Sequence, residues 1–159
     1  MQKIRIVCVG RCKEQYWVKA LEEYQKRLKR YCRFELCEVP DVSVPDRPSQ
    51  AQIREVLQKE GETILKKLEG EGQVIALCVE GKELSSERFS DLLGQAAQKG
   101  SSLCFVIGGS HGLWEPVKER AFLRLSFSRM TFPHQLMRVI LTEQIYRGYK
   151  ILNHEAYHK

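Results

Sequence analysis

Five apolar runs of strand length, spaced by segments of helical periodicity, constrain this chain more than any other feature. The runs lie at residues 4–9, 34–39, 74–79, 103–107 and 123–127. The first two are short alternating stretches, whereas those at 74–79 and 103–107 are continuous, VIALCV and LCFVI. Continuous runs are expected of strands buried on both faces of a sheet. Between the runs, Trp17, Leu21, Tyr24, Leu28 and Tyr31 recur every three or four residues and mark one face of a helix. Ile53, Val56, Leu57, Ile64, Leu65 and Leu68 mark a second helix. Phe89, Leu92, Leu93 and Ala96 mark a third, with Ser85 and Ser86 as candidate N-caps. A short helix starts near Trp114-Glu115-Pro116, and a long one fills 135–152. This alternation predicts an α/β fold, a mainly parallel sheet with helices on both faces.

The chain has 159 residues, 43% hydrophobic and 29% charged, enough for one domain with a real core and unlike a disordered chain. Pro40, Pro45 and Pro48 break up one stretch, but the strand–helix rhythm resumes beyond it, so it reads as a surface loop. Residues 1–159 are therefore read as a single domain. The longest apolar run falls far short of the roughly 20 residues a spanning helix needs. The first ten residues alternate charge with apolar side chains, unlike a signal peptide. A cytoplasmic location without membrane contact is the expectation. The six cysteines are then reduced thiols. There is no C-x-x-C and no paired histidine spacing, so no metal site is expected.

The formal charge is +6, a weak hint by itself of an acidic partner. Its distribution says more. Residues 118–159 hold eight bases and three acids, leaving the first 117 residues nearly neutral. That stretch is either a solvated basic helix or a surface for RNA or phosphate. From 135 to 152, apolar residues cover more than one helix face. The second partner they need is a subunit interface, favoured here, or the core of the same chain.

Three segments carry chemical potential. The first is Ile107-Gly108-Gly109-Ser110-His111-Gly112-Leu113, where a buried strand runs into three glycines. It is a plain tight turn or a cofactor loop at the carboxyl end of a strand. Leu77, ending the third strand near the same edge, is core or the wall of an adenine pocket. The second is 127–135, FSRMTFPHQ, an irregular loop entering the last helix. Pro133 suits a helix start, and Thr131 or His134 is a candidate cap. The backbone groups of this loop, flanked by Met130 and Phe132, suit the edges of a flat heterocycle. The third is the tail, Ala156-Tyr157-His158-Lys159. Tails normally fray, but two aromatic rings and a cation suit stacking on an unpaired base beside phosphate.

Taken together these segments resemble one family closely. The residues are Ile107-Gly108-Gly109-Ser110-x-Gly112-Leu113, then Leu125-Ser126-Phe127-Ser128-x-Met130-Thr131-Phe132-Pro133-His134-Gln135-x-Met137-Arg138-Val139, then Glu143-Gln144-x-Tyr146-Arg147, and the ending Tyr157-His158-Lys159. They look like the RlmH-type ribosomal RNA methyltransferases of the SPOUT class, in matching order over essentially the whole chain. The resemblance implies transfer of a methyl group from S-adenosylmethionine to N3 of a pseudouridine in large-subunit ribosomal RNA. It implies a C-terminal trefoil knot, which periodicity does not show and the general rule against knots opposes. It also implies a homodimer with the cofactor in the knot. By position, Leu77, Gly108 and the loop residues Phe127, Ser128, Arg129, Met130, Thr131 and Phe132 correspond to the cofactor site. Arg147, Tyr157 and His158 fall on the RNA-binding and catalytic side, with the tail reaching the partner's cofactor. His111 departs from the pattern and is given no role.

The sulfonium methyl is already activated, so positioning can supply much of the acceleration and no metal is called for. The N3 proton must leave. Arg147 favours the resulting anion electrostatically, and His158 or water accepts the proton. A ribosome-borne substrate is expected, because +6 gives limited grip on free RNA. The competing reading is a non-catalytic RNA- or ribosome-binding module, which would not bind S-adenosylmethionine.

Overall fold

The computed structural model describes residues 1–159. In chain order the elements are β1 (Lys3–Val9), α1 (Gln15–Leu28), β2 (Arg33–Val39), α2 (Gln50–Lys67), β3 (Gln73–Glu83), α3 (Ser86–Gln98), β4 (Leu103–Ile107), α4 (Glu115–Arg120), β5 (Leu123–Ser126) and α5 (His134–Leu152). The strands form one sheet in the order β2-β1-β4-β3-β5. Every pairing is parallel, so the expected mainly parallel sheet is wholly so.

Strand order decides which helix covers which face. The steps β1 to β2 and β3 to β4 move toward one edge, and β2 to β3 and β4 to β5 move toward the other. Right-handed crossovers then place α1 and α3 on one face and α2 and α4 on the opposite one. The core divides that way. Leu28 at the end of α1, Phe89 and Leu93 of α3, and Leu141 and Ile145 of α5 pack over Ile4, Ile6 and Phe105. Ile64 of α2 and Val117 of α4 pack over Val7, Val74 and Val106. Successive β1 residues thus serve opposite cores, as the two-residue period of a strand requires.

Local signals set the helix starts. Ser49 and Gln52 form a reciprocal capping box on α2. The Ser85 hydroxyl accepts from the Arg88 N–H at 3.1 Å and caps α3. Ser86 instead donates to Gln144 of α5 at 2.7 Å. α5 follows Pro133 with no side-chain cap, so neither Thr131 nor His134 fills that role.

α5 lies between α1 and α3. It buries Arg138, Leu141, Thr142, Ile145, Tyr146, Gly148 and Tyr149. A Cβ at Gly148 would stand 2.5 Å from Leu93, so the missing side chain lets α5 approach α3. One of the covering partners expected for 135–152 is the same chain: the C-terminal half of the helix packs into its own core. Leu136, Val139 and Ile140 remain half-buried.

Two further expectations change. The third strand does not end at Val79. β3 runs to Glu83, and β5 pairs with Ile75–Leu77 and again with Lys82 and Glu83 across a bulge. The tail is not frayed: Glu155, Tyr157 and His158 are half-buried. No helix is long and apolar enough to cross a membrane.

Candidate active site

The bulge in β3 builds the site. Residues 78–81 leave the ladder while β5 stays paired on either side of them. A Cβ at Gly81 would stand 2.7 Å from the Arg124 backbone, so only glycine allows this close approach. The excursion puts Cys78, Val79 and Glu80 into a cavity of about 610 Å³. The cavity lies at the bulge of β3 and beyond the carboxyl ends of β4 and β5, where parallel sheets bind ligands.

Its floor is the glycine turn after β4, Gly108 to Gly112, and its far wall is the loop from Phe127 to Pro133 with Met137 of α5. Gly108 is a glycine because of the turn itself: a Cβ there would collide with the Gly112 carbonyl. Gly112 holds φ +87°, a left-handed value that suits glycine. The segment is therefore a tight turn, and it lines the cavity. In the loop, the Ser126 hydroxyl donates to the Ser128 carbonyl at 3.0 Å, and the Ser128 hydroxyl accepts from the Met130 N–H at 3.0 Å. These bonds hold a loop with no regular structure.

Leu77, Gly108, Phe127, Ser128, Met130, Thr131 and Phe132 all line the cavity. Arg129 is exposed and does not. His111, which carried no role, is in the lining together with Glu80, Lys118 and His134.

The cavity's charges are balanced. Lys118 Nζ lies 2.6 Å from Glu80, an ion pair that lowers the carboxyl pKa. Burial, and then the Arg138 guanidinium, lowers the His134 pKa, so its imidazole is neutral at pH 7. Burial raises the Cys78 pKa and keeps it a thiol. With no unpaired cation, apolar walls at Leu77 and Met137, and backbone polar groups in the glycine turn and loop, the site suits a sulfonium cation joined to a flat heterocycle. Its volume is in the usual range for small-ligand pockets.

Arg147, Tyr157 and His158 come together elsewhere. Arg147 Nη2 donates to Glu143 Oε1 at 2.6 Å, and the Tyr157 hydroxyl donates to the same oxygen at 3.0 Å. Burial, then the Glu143 carboxylate, raises the Tyr157 pKa and keeps the phenol protonated. The Arg147 guanidinium carbon lies 4.8 Å from the Tyr157 ring centroid. Arg147 Nη1 lies 3.2 Å from His158 Nδ1, and His158 Nε2 lies 2.7 Å from Glu87 Oε1. A guanidinium can only donate, which assigns Nδ1 as acceptor and the proton to Nε2. Glu143 and Glu87 organise this cluster; Glu143 belongs to the Glu143-Gln144-x-Tyr146-Arg147 motif, but no role follows for either acid from sequence. The four-residue spacing of Glu143 and Arg147 on a helix was the available signal.

None of these three residues lines the cavity. Arg147 follows Met137, the last cavity residue of α5, by ten positions, or about 15 Å along the helix axis. The cavity and the Arg147–Tyr157–His158 cluster are therefore two separate places on one chain.

Arg138 also escaped notice as a structural residue. Fully buried, its Nη2 donates to the Val9 and Gly10 carbonyls at 2.7 and 2.8 Å, and its Nη1 to Glu38 at 2.8 Å. It ties the start of α5 to the ends of β1 and β2. No group of three or more metal-ligating side chains occurs.

Residues 2–158 match the family model "Predicted SPOUT methyltransferase". Among solved structures, a probable methyltransferase from Bordetella pertussis Tohama I has a TM-score of 0.60 at 14% identity, covering 92% of this chain and 94% of that one. A probable methylase family protein from Haemophilus influenzae Rd KW20 has a TM-score of 0.59 at 12% identity, covering 98% of this chain and 70% of that one. TrmJ from Z. mobilis ZM4 has a TM-score of 0.53 at 14% identity, covering 93% and 70%. At such identities these likenesses establish the fold, while the family model spans nearly the whole chain. The chain belongs to the SPOUT methyltransferase family, whose members use S-adenosylmethionine.

Proposed function

We propose that this chain is an RlmH-type enzyme, methylating N3 of a pseudouridine in large-subunit ribosomal RNA on the assembled ribosome in the cytoplasm. We read 1–159 as one domain acting as a homodimer, its C-terminal segment threaded as a trefoil knot. Tyr16, 62% exposed on α1, and the half-buried Leu136, Val139 and Ile140 offer an apolar face to a second copy.

The observation that carries the reading is the separation of the cavity from the Arg147–Tyr157–His158 cluster. Reacting atoms must come within about 3–3.5 Å. A cavity suited to the cofactor and a polar aromatic cluster that does not line it meet that requirement when the cluster of one copy faces the cavity of another.

In this mechanism the bound cofactor supplies an activated methyl group. Leu77, Gly108 and the loop from Phe127 to Phe132 hold it and exclude water. The backbone of residues 127–132 offers hydrogen bonds to a heterocycle edge, while the Arg129 side chain stays outside. Arg147 stabilises the anion left when N3 of the base loses its proton. Tyr157 presents its ring for stacking and its hydroxyl for a carbonyl of the base. His158 becomes a proton acceptor only when substrate frees one of its nitrogens, because Arg147 and Glu87 engage both.

Deleting residues 157–159 should abolish methyl transfer to ribosomes and leave S-adenosylmethionine affinity, measured by calorimetry, within about twofold of wild type. Full activity in the truncated protein would remove the tail from the mechanism. Loss of cofactor binding would place it in the cavity instead.

A further inference from the structure

Away from the cavity, bases concentrate at the C-terminal end of α1. Lys26, Arg27, Lys29, Arg30 and Arg33 fall within eight residues that contain no acid. Part of this has a local cause. Bases in a last helical turn complement the helix dipole, and Lys26 and Arg27 occupy that turn. The others lie beyond it. Of the five, only Arg27 and Arg30 have acidic partners, Glu23 at 3.0 Å and Glu155 at 3.9 Å.

Aromatic rings join this segment to the tail cluster. The Arg27 guanidinium carbon lies 5.5 Å from the Tyr24 ring centroid and 5.7 Å from that of Tyr146. Arg30 lies 5.1 Å from Tyr31, and Lys150 lies 5.8 Å from Tyr146. Tyr146 in turn meets Tyr157 edge-on at 5.0 Å. A cation already stacked on a ring loses less rotamer freedom when it meets a phosphate. Three acids on this surface are committed, Glu23 to Arg27, Glu143 to Arg147, and Glu155 to Lys150 and Tyr31, which leaves exposed Glu22 against the three bases without acidic partners, Lys26, Lys29 and Arg33. The unpaired charge left over is positive.

We propose that this surface, from Lys26 to Arg30 at the C-terminal end of α1 across to Arg147 and Lys150 on α5, is the phosphate-binding face along which the RNA backbone lies as the target base enters the tail cluster. The inference rests on reading the chain as an RNA methyltransferase. It adds a second basic segment, from the opposite end of the chain, to the C-terminal excess seen in sequence. Interleaved rings and bases suit a nucleic acid, whose backbone engages cations and whose unpaired bases stack.

The test is co-sedimentation with purified large ribosomal subunits over a range of KCl concentrations. The triple variant K26A/K29A/R30A keeps the stacked Arg27 and the proposed catalytic residues. A control, R54A/K59A/K66A, removes three exposed bases from α2 on the opposite face. Each protein's S-adenosylmethionine affinity verifies its fold. The α1 variant should bind about 10-fold more weakly near 0.1 M salt, with the salt slope lowered by about 2, and the α2 control should match wild type. An α1 variant that binds like wild type, or a control that loses as much, overturns the phosphate face alone. Wild-type protein that fails to bind the subunits at any salt overturns both the face and the ribosomal reading beneath it.

Discussion

At the scale of single residues, the cavity depends on charges being neutralised, and His134 is one of two histidines in its lining. Its folded pKa is lowered by burial, so the folded protein takes up this proton only below the ordinary value of about 6.5. Protonation then adds a cation to a cavity proposed to hold a sulfonium. S-adenosylmethionine affinity should stay level from about pH 8 to 7 and fall several-fold as the pH drops toward about 5, while His134→Gln should flatten the profile. Calorimetry across this range checks it, and a level wild-type profile would contradict it. The same shift bears on folding. The unfolded chain binds this proton more readily, so His134 favours the native state above about pH 6.5, and that contribution declines as the pH falls toward the folded pKa. The family resemblance points to Leu77, Gly108 and the loop residues by position, and all of these but Arg129 line the cavity. Sequence could not find Glu80, Lys118 or Glu87, because their roles arise from the bulge and from packing between distant segments.

At the scale of elements, α5 serves as core helix, cavity wall and carrier of the tail cluster. Its apolar pattern announced burial on more than one side, but not whose atoms would cover it. The crossover geometry answers that for the C-terminal half, through α1 and α3. Arg138 fixes the start of the helix by bonding the Val9 and Gly10 carbonyls and Glu38. Arg138→Met should leave these acceptors without their donor and destabilise the fold by about 3 kcal/mol in urea unfolding. A loss below about 1 kcal/mol would mean that water or a neighbouring base replaces it. The β3 bulge was legible only as a glycine near a strand end. Recognising it requires knowing that β5 pairs on both sides, a long-range fact with no local pattern. The order of the tail is not legible in its own residues, because the partners that hold it, Glu87 and Glu143, lie in other elements.

At the scale of the molecule, strand–helix alternation yields the α/β class and the parallel sheet, since both follow from local periodicity. Strand order, and with it the position of the cavity and the tail cluster, does not. If the tail of one copy completes the cavity of another, two defective chains should rescue each other. Leu77→Arg, which puts a cation into the cavity wall, and deletion of residues 157–159 should each abolish activity alone. Mixed in equal amounts and refolded together, they should recover about a quarter of wild-type activity, because half of the dimers are mixed and each has one intact composite site. No recovery would mean that the tail serves its own chain. The central claim, methyl transfer to a pseudouridine of large-subunit RNA, is tested most directly by product mapping. Ribosomes lacking the modification are incubated with the protein and isotopically labelled S-adenosylmethionine, and the RNA is digested and analysed by mass spectrometry. The expected product is a single labelled methyl group on N3 of one pseudouridine in the large-subunit RNA. Label on another base or another RNA, or no label from a protein that binds the cofactor, would contradict the account.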